Sequence, residues 1–356
     1  MRIARFVIGA LAGLLLAGSA HAETLRLGVA APLSGPSAVL GAQVRAGAQA
    51  AAEDGSVTLE IADDACTADG GAKAARQFAK AKVQAVVGFL CGEAIEAAMP
   101  ILKEAGIPVV TIGVRTDSLT DSREKTGWPV FRLAPRADSE HDAAGLLLTK
   151  LWRDKLFAIV DDGTIYGREL AESFRTAAQQ DGLKPVFNDT FRPQLDNQVG
   201  LVGRLRKADA THVFVGGDRD DIAIMARDAR KIGLNMVFAG GETLRAAPGP
   251  VPLAAGTLMI ALPEWQEVAN PAVVEKFNAD RIIPEGYVLP AYAAVEVVRA
   301  AVAEAAASGD LKKALTEHDF QTAIGPVRFD AKGDLSENPY RVFRYDGTRF
   351  LPVEVQ

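Results

Sequence analysis

Short apolar runs of strand length alternate with stretches of helical periodicity along most of this chain. The pattern predicts strands over 25–31, 57–61, 86–90, 107–112 and 130–134, with helices over 42–53, 71–81 and 94–105 between them. Such alternation with short connections implies a parallel sheet with right-handed crossovers. Between 120 and 128 the pattern lapses into the polar DSREKTGW, then restarts. Helices are expected over 143–152, 166–181, 199–207 and 220–232, with strands over 156–160, 184–191, 212–215 and 236–239. The two halves open alike, LRLGVAAPLSG and LFAIVDDGTIYG, each a strand running into a glycine-containing loop and then a helix.

After Pro252 the order changes to a strand over 256–262, a helix over 271–280 and a long Ala- and Val-rich helix over 290–306. A strand over 325–329, a tight turn over 330–334 and a hairpin of 340–345 with 349–355 around Asp346-Gly347 close the chain. The simplest home for such a tail is the edge of each lobe. The chain would then cross between lobes near 136, 263 and 337, dividing into lobe 1 (23–136 plus 264–336) and lobe 2 (137–263 plus 337–356). Several crossings at one waist make a hinge, and a hinge between two sheets makes a cleft.

The stretch 86–116, VVGFLCGEAIEAAMPILKEAGIPVVTIGVRT, shows what that cleft offers. Its two strands deliver loops to one carboxyl edge, where open α/β sheets bind ligands. Cys91-Gly92-Glu93 leads into a helix whose first N–H groups are free, a natural anion site. Gly113-Val114-Arg115-Thr116 brings a guanidinium.

Composition narrows the picture. Arg2, Arg5, an apolar run over 6–17 and Ala20-His21-Ala22 make a secretory signal over 1–22, cleaved after Ala22 and too short to anchor in a bilayer. The 39 basic and 45 acidic side chains give a net charge of −6, and −8 without Arg2 and Arg5, which argues against a nucleic-acid partner. Cys66 and Cys91 both lie in the exported part, where disulfides persist, and read as one bridge. Free thiols or a metal site are the other readings, but His21, His141, His212 and His318 show no ligand spacing.

Motifs for chemistry are missing. The chain holds no G-x-G-x-x-G after a strand, no phosphate-binding loop and no G-x-S-x-G, and Ser34 has no evident base. Asp63-Asp64 and Asp161-Asp162 are neighbours that point to opposite faces of a strand and serve as loop caps instead. No cofactor, no metal and no enzymatic activity are expected. What recurs is polar groups at carboxyl strand ends: Gly92, Arg115, Tyr166, Asp218, Glu242 and, as a further acid, Glu93. Donors for a carboxylate and acceptors for an ammonium are what a small zwitterion needs.

In order across roughly 300 residues stand LRLGVAAPLSGP, IADDAC, VVGFLCG, AGIPVVTIG, VFRLAPRADS, FAIVDDGTIYGRELA, HVFVGGD, ARKIGL, FAGGE and IGPVRFDAKGDL. With these the exported chain resembles the periplasmic leucine/isoleucine/valine-binding proteins, the type I solute receptors of branched-chain amino-acid ABC transporters. The resemblance implies an α/β fold of two Rossmann-like lobes joined by three crossover segments, closure about a hinge, and delivery to a membrane permease driven by a separate ATPase. It also implies that Glu242 takes the ligand's ammonium, that Tyr166 and Tyr287 line the pocket, and that Cys66 pairs with Cys91.

The chain departs from that pattern where the carboxylate should be gripped. Gly92 stands where the family has a serine after the second cysteine, and Arg115 where it has a threonine or serine beyond the Gly113 position. Leu40 replaces an aromatic before Gly41, and Asp218 a tyrosine after the second-lobe GG. Two lost hydroxyls remove about 1–3 kcal/mol of hydrogen bonding, which a charge-assisted arginine contact can offset. Arg115 is therefore expected to take the carboxylate, and Glu242 with Asp218 the ammonium; the competing arrangement pairs Arg115 with Glu93. The expected function is a periplasmic, monomeric receptor for an amino acid or close relative. A ligand sensor of the same fold, or a receptor for an amide, cationic amine or aromatic acid, is the alternative.

Overall fold

The structure is a computed structural model that describes residues 24–306 and 308–355. The expected signal segment lies outside the described residues. Five parallel strands form the first sheet: β1 (Leu25–Ala31), β2 (Val57–Asp63), β3 (Ala85–Gly88), β4 (Val109–Thr111) and β5 (Val130–Arg132), in the order β2-β1-β3-β4-β5. The second sheet takes β6 (Phe157–Asp161), β7 (Phe187–Thr190), β8 (His212–Gly216), β9 (Val237–Gly240) and β10 (Leu258–Ala261), all parallel. A two-stranded ribbon of β11 (Phe320–Thr322) and β12 (Gly325–Val327) stands apart. The closing hairpin, β13 (Arg341–Tyr345) and β14 (Phe350–Val353), extends the second sheet antiparallel beyond β10, in the order β14-β13-β10-β9-β8-β6-β7.

Strands covered by helices on both faces must be apolar on both, and β1 is buried at six of its seven positions. Each sheet therefore carries two apolar clusters, one per face. The helix Val288–Ala305 follows β10 in the chain yet packs in the first sheet's core beside the helix Ala38–Ala51. Its Ala and Val content is the signature of that burial. At Gly47 an added Cβ would stand 2.0 Å from the Val288 carbonyl oxygen, so only glycine allows this approach.

Several elements differ from the sequence pattern for identifiable reasons. The strand expected over 86–90 ends at Gly88, because Gly88 (φ 112°) and Phe89 (φ 53°) turn the backbone out of the sheet. The polar stretch where the pattern lapses folds around two single-turn helices, Ser118–Asp121 and Arg123–Thr126. Long-range bonds hold them: Thr120 Oγ1 donates to Asp334 Oδ2, and Arg123 Nη1 to the carbonyls of Val130 and Lys332. A helix, Leu311–Glu317, occupies part of a segment the pattern left unassigned. The strand expected at 325–329 pairs with β11 rather than lying along the first sheet. The edge it would have joined is taken by the turn 330–334, where the Arg132 N–H donates to the Gly333 carbonyl at 2.7 Å. Covering the edge of β5 in this way blocks further strand pairing.

Beneath that turn lies a buried charge knot. Arg132 is fully buried; its Nε donates to Asp334 Oδ1 at 2.8 Å, its Nη1 to the Thr116 carbonyl at 2.8 Å, and its Nη2 to Thr120 Oγ1. Arg136 reaches the other Asp334 oxygen at 3.0 Å and also pairs with Asp121 and Asp138.

Candidate ligand-binding site

The first sheet contributes backbone donors. The helix Gly92–Glu104 starts from Cys91 in extended conformation, and no side chain caps it. Its first bond is Ile95 N–H to the Cys91 carbonyl, so the N–H groups before it point outward unshared. Cys91 is joined to Cys66 by a disulfide with the Cα atoms 5.2 Å apart, which fastens this helix start to the loop after β2. A Cβ at Gly92 would meet only Thr116 Oγ1, at 3.8 Å, so the space above the helix end is open. Gly113 is glycine for a different reason: a Cβ there would stand 2.6 Å from the Leu90 side chain. Close by, Asp64 is fully buried, accepts from the Cys66 N–H at 2.9 Å, and burial pushes its pKa up to about 6.

The second sheet contributes acceptors. Asp161 and Asp162 cap their own loop by accepting from the N–H groups of Gly163 and Thr164. Thr164 in turn caps the helix Ile165–Gln180, which presents Tyr166. At the end of β8, Asp218 precedes the helix Arg219–Lys231; its side chain is exposed and makes no capping bond. The Thr243 hydroxyl donates to the Gly217 carbonyl at 2.8 Å, setting Asp218's loop beside the single turn Glu242–Arg245 after β9.

Glu242 gathers the chain crossings. Its Oε1 accepts from the Leu262 N–H at 3.3 Å, its Oε2 from the Tyr340 hydroxyl at 2.9 Å, and its own N–H donates to Glu140 Oε1 at 2.7 Å. The Tyr166 hydroxyl donates to the same Glu140 oxygen at 2.8 Å. Gly241 is glycine because a Cβ would fall 2.2 Å from Glu140 Oε1 and 2.3 Å from the Tyr166 hydroxyl. Burial raises the Glu140 pKa, against the hydrogen bonds from Glu242 and Tyr166.

Arg115 bridges the two sheets. Its Nη2 donates to the Tyr340 hydroxyl at 2.5 Å, and its Nη1 lies 3.7 Å from Glu242 Oε2. Its carbonyl accepts from the Ala137 N–H at 2.8 Å, so the crossing near 136 is tied in as well. Burial works against the charged guanidinium, but Tyr340, Glu242 and Glu140 outweigh it and raise the Arg115 pKa. Tyr287 stands at the start of the helix Val288–Ala305, its N–H on Gln43 Oε1. Burial raises its hydroxyl pKa and the neighbouring Arg115 opposes that rise.

Arg115, Glu242 and Tyr166 thus share one connected network, with Gly92, Tyr287 and Asp218 beside it. Glu93 does not join: it is exposed, and Arg115 pairs with Tyr340 and Glu242 instead. That corrects the Arg115–Glu93 arrangement; the helix turns Glu93 outward, while Tyr340 offers Arg115 a buried acceptor. Sequence reasoning missed Glu140 and Tyr340. Their only local signal is position, each shortly after an expected crossing. A cavity of about 670 Å³ beside the helix Ile165–Gln180, lined by His141, Asp161, Arg168 and Asn188 among others, shares no residue with the network. Among the described residues no group of three or more His, Cys, Asp or Glu could hold a metal ion, and no helix is long and apolar enough to cross a membrane.

The sequence profile of a family described as periplasmic binding protein matches residues 24–349. The Leu/Ile/Val-binding protein homolog 3 of Brucella melitensis is 30% identical over 361 residues, covering 95% of each chain. An amino acid binding protein of Pseudomonas aeruginosa is 31% identical over 338 residues, covering 90% of each. Among solved structures, the ABC transporter substrate-binding protein from Desulfitobacterium hafniense superposes with a TM-score of 0.68 at 21% identity, over 92% of this chain and 99% of that one. A leucine binding protein from Thermotoga maritima gives 0.58 at 19% identity, over 93% and 98%.

Proposed function

We propose a function from one premise: the chain belongs to the periplasmic binding protein family. It is a solute-binding receptor of an ABC importer, with the type I fold of that family. We assign lobe 1 to 23–136 plus 264–336 and lobe 2 to 137–263 plus 337–356, with export cleavage after Ala22 and a monomer that hands its cargo to a membrane permease. The cargo is an amino acid or a close relative. Relatives of the chain carry names that specify amino acids, and the cleft is of matching chemistry.

One observation carries this reading. Arg115 from one sheet meets Tyr340 and Glu242 of the other at the point where the crossings converge. A ligand held there touches both lobes, which is what couples binding to closure. The free helix end at Gly92 and the unshared N–H groups of Arg115 receive the ligand's carboxylate. Tyr166, Tyr287 and Asp218 form the surrounding polar and aromatic lining. Kinship with a family of binding proteins supports a site that holds its ligand without transforming it.

The test is gentle purification followed by mass spectrometry of whatever denaturation releases. A carboxylate of amino-acid size, returned unchanged, is the expected result. A hydrolysed or otherwise converted ligand would sink the receptor reading.

A further inference from the structure

We propose that Arg115 is a specificity-determining residue that selects a carboxylate whose neighbouring group is uncharged, a 2-oxo acid over the corresponding amino acid. This rests on the receptor reading above and narrows its ligand. The two charges an α-amino acid presents need separate complements, an anion for its ammonium and donors for its carboxylate. The half-buried anion beside Arg115 is Glu242, and it is already engaged. One oxygen accepts from Leu262 N–H and the other from the Tyr340 hydroxyl, with the Arg115 guanidinium 3.7 Å away. An ammonium brought to hydrogen-bond distance of that oxygen would lie against the guanidinium and meet like-charge repulsion in a half-buried place. Glu140 offers no substitute, because it is buried and bonded to Tyr166 and to the Glu242 N–H.

The donors are arranged the other way. Arg115 has five N–H groups and the structure uses few of them, while its side chain keeps 37% of its exposure. The uncapped helix start at Gly92 adds backbone N–H groups across an open space bounded by Thr116. One cation therefore serves two anions, the internal Glu242 and the ligand's carboxylate. A 2-oxo group next to that carboxylate asks for a hydrogen-bond donor, which the guanidinium edge supplies, and for no counter-ion. Asp218, at the end of β8, is exposed and solvated, so its attraction for an ammonium is screened.

Isothermal titration of the ligand-stripped protein with leucine, isoleucine and valine, and with their three 2-oxo counterparts, tests this. The expected result is at least tenfold tighter binding of the best 2-oxo acid than of its amino acid. In Arg115→Ser the ratio should fall by tenfold or more, with both ligands weakened. Tyr340→Phe, which keeps the guanidinium but removes the hydroxyl that occupies Glu242 Oε2 and so frees an acceptor for an ammonium, should narrow the ratio in the same direction. Unchanged circular dichroism checks that each variant is folded. Equal or tighter binding of the amino acid to the wild type, above all if Asp218→Asn abolishes it, overturns the inference and leaves the receptor reading intact. A 2-oxo preference that survives Arg115→Ser also overturns it. Binding of no member of either series overturns this inference and leaves the receptor reading to the mass spectrometry of the released ligand.

Discussion

Arg132 and Arg115 both come from carboxyl ends of the first sheet, and each reaches a carboxylate far along the chain. Arg132 is fully buried and its guanidinium is spent on Asp334, Thr120 and the carbonyls of Thr116 and Val114. Arg115 is about a third exposed, with one hydrogen bond and one longer ion pair. The chemistry is the same and the saturation is opposite. A buried arginine must satisfy every donor or forfeit its desolvation cost, whereas one at a cleft can keep donors in reserve. The two are also linked, because the carbonyls that Arg132 grips flank Arg115. The saturated knot fixes the loop, and the unsaturated residue acts from it.

The largest effect should come from breaking the knot. Asp334→Ala strands Arg132 without its anion, and a loss of about 3–5 kcal/mol in urea unfolding is expected. A loss below about 1 kcal/mol would show that the knot is not a structural element. Next is the disulfide that holds the first wall of the open site. Its cysteines are 25 residues apart, and Cys66→Ser should cost about 3 kcal/mol by loop-closure entropy. Arg115→Ala should be far milder, under about 1 kcal/mol, as befits a partly exposed pair. A cost matching that of Asp334→Ala would erase the distinction between the two arginines.

The pH dependence sharpens the contrast because the two clusters carry opposite signs. Hydrogen bonds from Arg136 and Lys332 hold Asp121, at the rim of the knot, down at about 2 from 3.8. The stability it contributes is present above the unfolded value and lost as pH falls toward 2. Burial raises Glu140 above its usual 4.5, so its contribution is complete below that value and declines as pH rises through the raised pKa. Stability measured from pH 2 to 8 should therefore lose part of its acid slope in Asp121→Asn and part of its neutral-side decline in Glu140→Gln. Identical profiles for the two variants would contradict the assignment.

Much of this molecule is legible in its sequence. The alternation of strand and helix is a local property, since both faces of a parallel strand must be apolar and each helix must show its stripe. β1 and the helix Val199–Lys207 fall where the pattern puts them. The carboxyl edges of the strands could also be located, and with them Gly92, Arg115, Tyr166, Asp218 and Glu242, because parallel topology sends every such loop to one side. The cysteine pair was readable for the same reason.

What the chain could not disclose by itself is who partners whom. Arg115, Glu140, Glu242 and Tyr340 share no period and no motif, and they meet only because crossing segments far apart in sequence converge on Glu242. Glu93 stood nearer to Arg115 in the sequence, yet the helix start faces it to solvent and Tyr340 takes the guanidinium. Local pattern determines elements because backbone hydrogen bonding and burial act over a few residues. The charge pairing at the cleft depends on competition among side chains, and only the tertiary arrangement sets the distances that decide it.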